Sequence, residues 1–150
     1  DAIRLRREGP LGRVNVKTMP YPGFPTDMQP QIAAVLCVAQ GTSVLTEGVW
    51  DNRYRYVDEF RRMGARIQVD GKVAVIEGVD HLTGAPVHAC DQRAGAAMII
   101  AGLAAQGVTE IDGIHHIERG YETIVEKLAN LGADIRTVTV PGEEDQAQVG

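Results

Sequence analysis

The stretch "AGAAMIIAGLAA", residues 94–105, decides the fold because it is apolar on nearly every side. A helix without a polar face lies in the interior, surrounded by other elements. Its small residues let those neighbours approach closely; they are Ala94, Gly95, Ala96, Ala97 and Gly102. The stretch therefore predicts an inside-out arrangement, with helices packed centrally and sheets outside.

A repeat surrounds this helix. The segment "AQGTSVL" at 39–45 returns as "AQGVTEI" at 105–111, and "RMGARIQV" at 62–69 returns as "NLGADIRT" at 130–137. The period is about 64 to 68 residues, which is long enough for each copy to form several elements of secondary structure. The repeated copy is therefore the unit of the fold.

Each unit predicts the same order of elements. An apolar helix ends at Gly41 or Gly107, and a short strand follows over 43–46 or 108–112. A second helix then presents one apolar stripe and ends at a glycine. The stripes consist of Tyr56, Val57, Phe60 and Met63 before Gly64, and of Ile124, Val125, Leu128 and Leu131 before Gly132.

The first unit continues into a β-hairpin. Ile67 and Val69 alternate with polar residues, and Asp70-Gly71 predicts a tight turn into a strand over 72–76. One further strand joins each unit to the next. The predicted fold class is α/β, built of repeated βαβαββ-type units in an inside-out α/β arrangement.

The repeats also set the expected domain boundaries. Residues 1–141 form part of one domain, comprising the end of one unit and two repeats at about 27–90 and 91–140. Ile3 and Leu5 resemble the last hairpin strand of an earlier unit, so we expect a fragment of a larger domain. The alternative is a complete small domain with two and a half repeats.

Composition excludes several classes of function. The 150 residues carry a net charge of −5, which argues against a general nucleic-acid or anionic-membrane surface. No apolar run is long enough to span a membrane, and no signal peptide is visible. The two cysteines show no metal-binding spacing and favour a reducing, cytoplasmic setting. No P-loop or GxGxxG phosphate loop is present, and the polar tail at 142–150 is expected to be disordered.

Four prolines surround Asp27 in "PYPGFPTDMQPQ" at 20–31. Thr26 and Gln29 match a capping box, so a helix is expected to begin here with Asp27 in its first turn. An acid at that place complements the helix dipole, which is its purely structural explanation. The rigid approach, and the equivalent place of Asp91 in the next unit, favour a general base or a group that orients a ligand hydroxyl.

Three arginines form a second candidate group. Arg53, Arg93 and Arg119 each lie at a helix N-terminus or in the loop before one. Arginine binds phosphate and carboxylate in a forked geometry, and helix N-termini attract anions. The three side chains could therefore converge on one anionic ligand, although each alone is equally well explained by a solvated side chain or a salt bridge.

The cysteines and the paired histidines are weaker candidates. Cys37 falls within the first apolar helix and is expected to be a packed small hydrophobe. Cys90 precedes Asp91, whose charge raises the pKa of a thiol, so neither cysteine is expected to be a nucleophile. His115 and His116 lack a third ligand at suitable spacing, and no metal is expected there.

Five motifs together resemble the UDP-N-acetylglucosamine 1-carboxyvinyltransferase family. They are "GFPTDMQ" at 23–29, "NR" at 52–53, "MGA" at 63–65, "DQRAGAAMIIAGLAAQG" at 91–107 and "HIERGYE" at 116–122. The resemblance runs over about 8–140 and implies the C-terminal portion of an inside-out α/β enzyme. That enzyme transfers enolpyruvyl from phosphoenolpyruvate to the 3-hydroxyl of UDP-N-acetylglucosamine. The reaction begins peptidoglycan synthesis in the cytoplasm, and thereby serves cell wall biogenesis, cell shape, the cell cycle and cell division.

The resemblance also implies roles for single residues. Asp27 matches the acid beside the sugar hydroxyl, as general base or orienting group, and Val49 matches a backbone contact with the sugar nucleotide. The residues that meet phosphoenolpyruvate on domain closure are implied to be Arg93 and Arg119, with Asp91 as their partner acid and Arg53 as a further closure arginine. No cofactor and no metal are implied.

One departure from the family is large. Its reactive cysteine and its phosphoenolpyruvate-binding lysine lie in the other, N-terminal domain, and neither is matched here. We therefore expect the isolated chain to be inactive. The alternatives are a part of the sister enzyme 5-enolpyruvylshikimate-3-phosphate synthase, a non-catalytic binding or regulatory module of the same fold, and a purely structural domain. The sister enzyme is expected to carry a Lys-Glu-Ser-Asp-Arg-like run, where this chain has "DNRYRY" at 51–56 and "HIERGYE".

Overall fold

The structure, a computed structural model, describes residues 1–140. The chain divides into two compact units, Asp1–Gly120 and the part that begins at Tyr121. In the described residues no helix is both long and apolar enough to cross a membrane. The tail predicted at 142–150 lies outside the described residues.

The first unit contains a four-stranded sheet. Its strands are β1 (Val16–Lys17), β2 (Thr42–Thr46), β3 (Arg66–Asp70) and β4 (Val73–Glu77), in the order β1-β2-β4-β3. β1 runs parallel to β2, whereas β4 is antiparallel to both β2 and β3. The predicted hairpin is confirmed, because Asp70 pairs with Val73 and Gly71 takes the positive φ of 55° that favours glycine.

A second sheet reproduces part of the first. Strands β5 (Pro86–His88) and β6 (Glu110–Asp112) are parallel, as β1 and β2 are. The segment before β1 is joined to the first "AQG" motif by an isolated bridge between Gly12 and Gln40. The segment before β5 is joined to the second motif in the same way, between Thr83 and Gln106. The repeated segments therefore adopt the same local pairing twice.

Helices α1 (Gln29–Leu36) and α3 (Gln92–Ala104) pack against each other in this unit. Most of α3 is buried, as its apolar sequence predicts, although Ile100 and Leu103 remain partly exposed. A methyl group added at Gly95 would overlap the side chain of Ile117 in α4 (His115–Glu118). This glycine thus permits the close approach that the small residues of the helix indicate. Helix α1 ends well before Gly41, so the predicted boundary of that helix is wrong.

Helix α2 (Val57–Arg62) buries the predicted apolar stripe. Tyr56, Val57, Phe60 and Met63 are all buried, and the rings of Tyr56 and Phe60 meet edge to face with centroids 5.2 Å apart. The helix ends as predicted at Gly64, whose φ is 88°. The N–H of the next residue donates to the carbonyl of Phe60, which satisfies a carbonyl at the helix end.

The second unit contains helix α5 (Ile124–Asn130), which ends in the same way. Gly132 has a φ of 100°, and the N–H of Ala133 donates to the carbonyl of Leu128. The predicted stripe is half-buried at Leu128, but Leu131 is 84% exposed. Residues 133–140 form no strand, unlike the residues that follow Gly64.

The strand predicted at Ile3 and Leu5 is wrong. Residues 1–10 form no strand, and the two side chains are 98% and 96% exposed. A strand forms only where a neighbouring strand satisfies its backbone hydrogen-bonding groups. Within residues 1–140 the structure pairs no strand with this segment, which explains its irregular conformation.

Candidate functional site

Asp27 lies in a single 3-10 turn, Thr26–Met28, that leads into α1. Pro25 before it is extended, with φ −72° and ψ 137°, as the predicted stiff approach requires. The predicted capping box is wrong, because neither the turn nor α1 has a side-chain cap. Thr26 and Gln29 instead direct their side chains to the carboxylate of Glu47.

Two arginines hold the Asp27 carboxylate. Nη2 of Arg53 lies 3.2 Å from one of its oxygens, and Nη2 of Arg93 lies 3.2 Å from the other. Arg53 comes from the loop before α2, and Arg93 from the first turn of α3. The fold thus brings together three of the residues singled out from the sequence, although they lie far apart along the chain.

In this cluster two guanidinium groups share one carboxylate. The Asp27 side chain is 57% exposed, so each ion pair is screened by water and contributes about 0 to 1 kcal/mol to stability. Stability therefore does not explain the arrangement. A pair of guanidinium groups beside one carboxylate, open to solvent, is instead suited to receive an anionic ligand.

Asp91 caps helix α3. Its Oδ1 accepts a hydrogen bond of 2.8 Å from the N–H of Ala94, and the residue itself is extended. It thereby fixes the start of the helix whose first turn carries Arg93. Asp27 and Asp91 both lie at the start of an apolar helix, as predicted, but Asp91 caps its helix and Asp27 does not.

Arg119 directly follows α4 and makes its hydrogen bond elsewhere. Its Nη2 lies 3.3 Å from Nδ1 of His116, rather than beside Asp27. Desolvation and the nearby His115 and Arg119 lower the pKa of His116, which favours the neutral ring. Gly120 packs so closely on the side chain of Gln92 that a methyl group there would overlap it. The end of α4 is thus held against the first turn of α3.

Val49 is half-buried, and its N–H donates to Oε1 of Glu47 over 3.0 Å. Its amide is therefore engaged within the protein. A backbone contact from Val49 to a ligand would use its carbonyl oxygen.

Glu47 is the residue of this region that the sequence reading missed. It is 1% exposed and accepts hydrogen bonds from Thr26, Gln29 and the N–H groups of Val49 and Trp50. Burial raises the pKa of this carboxyl, but the bonds from Thr18, Trp50, Val49 and Thr26 outweigh that effect and the pKa is lowered. One signal was available: Ser43 and Leu45 face inward in β2, so the alternation places Glu47 inward too.

The cysteines behave as expected. Cys37 is fully buried, and burial raises the pKa of its thiol to about 12. Burial and the charge of Asp91 raise the pKa of Cys90. Neither thiol is therefore a ready nucleophile. Among residues 1–140 no group of His, Cys, Asp and Glu side chains could hold a metal ion.

Comparison with known sequences identifies related proteins. The chain matches the family described as EPSP synthase (3-phosphoshikimate 1-carboxyvinyltransferase) over residues 1–128. It is 60% identical over 135 residues to UDP-N-acetylglucosamine 1-carboxyvinyltransferase 3 of Caldanaerobacter subterraneus subsp. tengcongensis. That match covers 90% of the chain and 32% of the relative, so the chain spans about a third of the relative's length.

Two solved structures share the fold. The enolpyruvyl transferase NikO from Streptomyces tendae superposes with a TM-score of 0.81 at 36% identity, over 90% of this chain and 31% of that one. The EPSP synthase of Acinetobacter baumannii superposes with a TM-score of 0.56 at 24% identity, over 75% of this chain and 26% of that one. The second likeness supports the fold alone. The mixed α/β fold of these two structures is therefore the fold of this chain.

Proposed function

Because the chain belongs to the EPSP synthase (3-phosphoshikimate 1-carboxyvinyltransferase) family, we propose that it is the C-terminal portion of an enolpyruvyl transferase. The donor is phosphoenolpyruvate and the acceptor is the 3-hydroxyl of UDP-N-acetylglucosamine. The observation that carries the proposal is the Asp27 carboxylate held between the guanidinium groups of Arg53 and Arg93. It supports the proposal because a carboxylate that could accept a proton lies beside two guanidinium groups, and guanidinium groups bind phosphate and carboxylate.

The choice of acceptor rests on sequence identity. The chain is 60% identical to a relative named for transfer to UDP-N-acetylglucosamine, and 24% identical to a solved EPSP synthase. The "DNRYRY" and "HIERGYE" runs also lack the pattern expected of the sister enzyme. The proposed enzyme therefore belongs to peptidoglycan synthesis, in the cytoplasm.

In the proposed reaction the sugar oxygen forms a bond to the enolpyruvyl carbon, and the bond from that carbon to the phosphate oxygen breaks. Asp27 accepts or orients the proton of the attacking hydroxyl. Arg53, Arg93 and Arg119 stabilise the charge on the departing phosphate and on the donor carboxylate. The carbonyl of Val49 contacts the sugar nucleotide. No step requires a cofactor or a metal ion.

The proposed site is one wall of a cleft. The family's reactive cysteine and its lysine belong to an N-terminal domain, which we propose as the partner of this chain. In the complete domain, the β1–β2 pair and the β5–β6 pair would each belong to a full βαβαββ repeat. Residues 1–141 would form part of that domain. Arg119 and Asp91 would reach the donor only when the two domains close.

Binding of UDP-N-acetylglucosamine to the purified chain tests the proposal. Isothermal titration should detect weak binding that Asp27→Ala lowers by about tenfold, since a hydrogen bond to a charged group is lost. Asp58→Ala is the control, because Asp58 also pairs with an arginine but lies on the exposed face of α2. Equal binding by the wild-type chain and Asp27→Ala would remove Asp27 from the site, and no binding by either would contradict the proposed acceptor.

A further inference from the structure

We infer that Glu47 is a positioning residue that fixes Asp27 and Val49 relative to each other, and through them the place of the acceptor sugar. The inference rests on the proposed function, because both positioned residues are those proposed to meet that sugar. Glu47 itself is buried and does not face the solvent from which a ligand arrives. Its carboxylate instead joins the two backbone segments that carry them.

Glu47 contacts residues on both sides of Asp27 in the chain. The hydroxyl of Thr26 donates to both oxygens of Glu47, over 3.0 and 3.1 Å. The amide of Gln29 donates to Oε2 over 3.0 Å. The turn that carries Asp27 is therefore bound at its first residue and just after its last.

Glu47 also contacts the loop after β2, which carries Val49. The N–H groups of Val49 and Trp50 donate to Oε1 of Glu47 over 3.0 and 3.1 Å. The N–H of Gly48, between them and Glu47, donates to the hydroxyl of Thr18 over 2.8 Å. The loop thus closes around the carboxylate, and one carboxyl group serves both segments.

A further bond orients the amide of Gln29. The hydroxyl of the buried Tyr56 donates to its Oε1 over 2.6 Å, which leaves the NH₂ group to face Glu47. Burial raises the pKa of Tyr56 well above its ordinary value, so its hydroxyl stays protonated and remains a donor. The network is therefore anchored in the core beneath α2.

The chemistry of the network explains why a carboxylate is needed. The donors around Glu47 are hydroxyl, side-chain amide and backbone N–H groups, and an ionised carboxylate offers acceptor sites on both oxygens to receive them. A glutamine in its place would turn one acceptor oxygen into an NH₂ group that faces donors. At least one buried N–H or O–H would then lack a partner, which costs enough to shift the loop or the turn.

Glu47→Gln tests the inference, with Glu77→Gln on the exposed face of β4 as the matched control. Two ligands are titrated into the chain: UDP-N-acetylglucosamine and inorganic phosphate. We expect Glu47→Gln to weaken binding of the sugar nucleotide by about tenfold or more, because a misplaced group loses its contact. Phosphate, which needs the arginines, should bind within about threefold of the wild-type affinity. A role in stability alone would leave both affinities of the folded protein unchanged, and that result would overturn the inference.

Hydrogen exchange gives a reading that needs no ligand. The amide protons of Val49 and Trp50 should exchange at least about tenfold faster in Glu47→Gln, while those of the paired strands β2 and β4 keep their rates. Unchanged protection of Val49 and Trp50 would overturn the inference even if no sugar nucleotide binds, and so separates its failure from that of the proposed function. If Glu47→Gln fails to fold, Thr26→Val removes a single donor on the Asp27 side, and the same titrations should show a smaller loss in the same direction.

Discussion

At the scale of single residues, Asp27 occupies the place where an anionic ligand would meet Arg53 and Arg93. The carboxylate neutralises part of the charge on both guanidinium groups, each 3.2 Å away. An arriving anion must therefore compete with Asp27 for the same donors. If Asp27 acts on the acceptor as proposed, the same residue would also lower the affinity for the proposed donor.

Asp27→Asn should consequently bind inorganic phosphate more tightly than the wild-type chain does. Two unit charges about 4 Å apart interact by about 1 kcal/mol in water. Removal of the negative charge of Asp27 beside a bound anion therefore corresponds to about fivefold in affinity. Isothermal titration at low salt measures the change, with Asp58→Asn as a control for net charge. An affinity equal to or below that of the wild-type chain would show that the arginines are not shared in this way.

Glu47 is the second residue whose charge matters, and its effect depends on pH. The pKa of its carboxyl is lowered in the folded state, so the ionised form stabilises the fold above the value of about 4.3 in the unfolded chain. That stabilisation is lost as the pH falls through the lowered pKa. Glu47→Gln should therefore lower the free energy of unfolding by about 1–3 kcal/mol at pH 7, and by less as the pH falls below about 4.

Urea unfolding across this pH range measures that difference. Glu77→Gln, at an exposed ion pair, should follow the wild-type curve closely. A Glu47→Gln penalty that stays constant from neutral to acid pH would mean that the carboxyl is not ionised in the native protein.

At the scale of elements, α3 links the two sides of the candidate site. Its first turn carries Arg93, its cap is Asp91, and Gly95 lies against Ile117 of α4, the helix that precedes Arg119. The distance between α3 and α4 therefore governs where Arg119 lies relative to Arg93. Gly95 permits that short distance, because a side chain there would overlap Ile117.

Gly95→Ala should destabilise the protein by about 1–3 kcal/mol, because its methyl group would overlap the buried Ile117 in a packed interior. Gly102→Ala is the control on the same helix, since its methyl group would lie 3.2 Å from Cβ of Thr109 and meets a milder obstacle. Thermal unfolding of the two variants compares them. Equal melting temperatures would mean that α4 moves away freely, and that α3 does not fix its place.

Sequence reasoning succeeded for elements that local chemistry determines. The stripe from Tyr56 to Met63, the glycine ends at Gly64 and Gly132, and the turn at Gly71 all follow from side-chain spacing or from a φ that favours glycine. The predictions were wrong where the conformation depends on a residue or strand that is distant in the sequence. Thr26 and Gln29 have the pattern of a capping box but meet Glu47 instead, and the segment at Ile3 has no strand to pair with. The sequence predicted that Arg53, Arg93 and Arg119 could converge, and the structure brings the first two together at Asp27 but not Arg119.

At the scale of the whole molecule, the chain spans 32% of the length of its relative from Caldanaerobacter. The proposed reaction requires groups on both sides of the reacting atoms, and this chain offers the Asp27 side only.

The purified chain should therefore show no transfer of enolpyruvyl to UDP-N-acetylglucosamine, measured as release of phosphate from phosphoenolpyruvate. A longer protein that joins these residues to an N-terminal domain of the family should show it, and should lose it with Asp27→Ala. Turnover by the 150-residue chain alone would show that the second wall is not needed.

The Asp27 carboxylate, which two arginines bind, also affects how anion binding depends on the ionic strength of the solution. Free arginines hold mobile anions near them, and a ligand that displaces those anions binds more weakly as salt is added. Here Asp27 partly takes the place of a mobile anion, because it belongs to the protein and lies beside Arg53 and Arg93. Anion binding at this site should accordingly depend less steeply on salt in the wild-type chain than it does once Asp27 is replaced by a neutral residue.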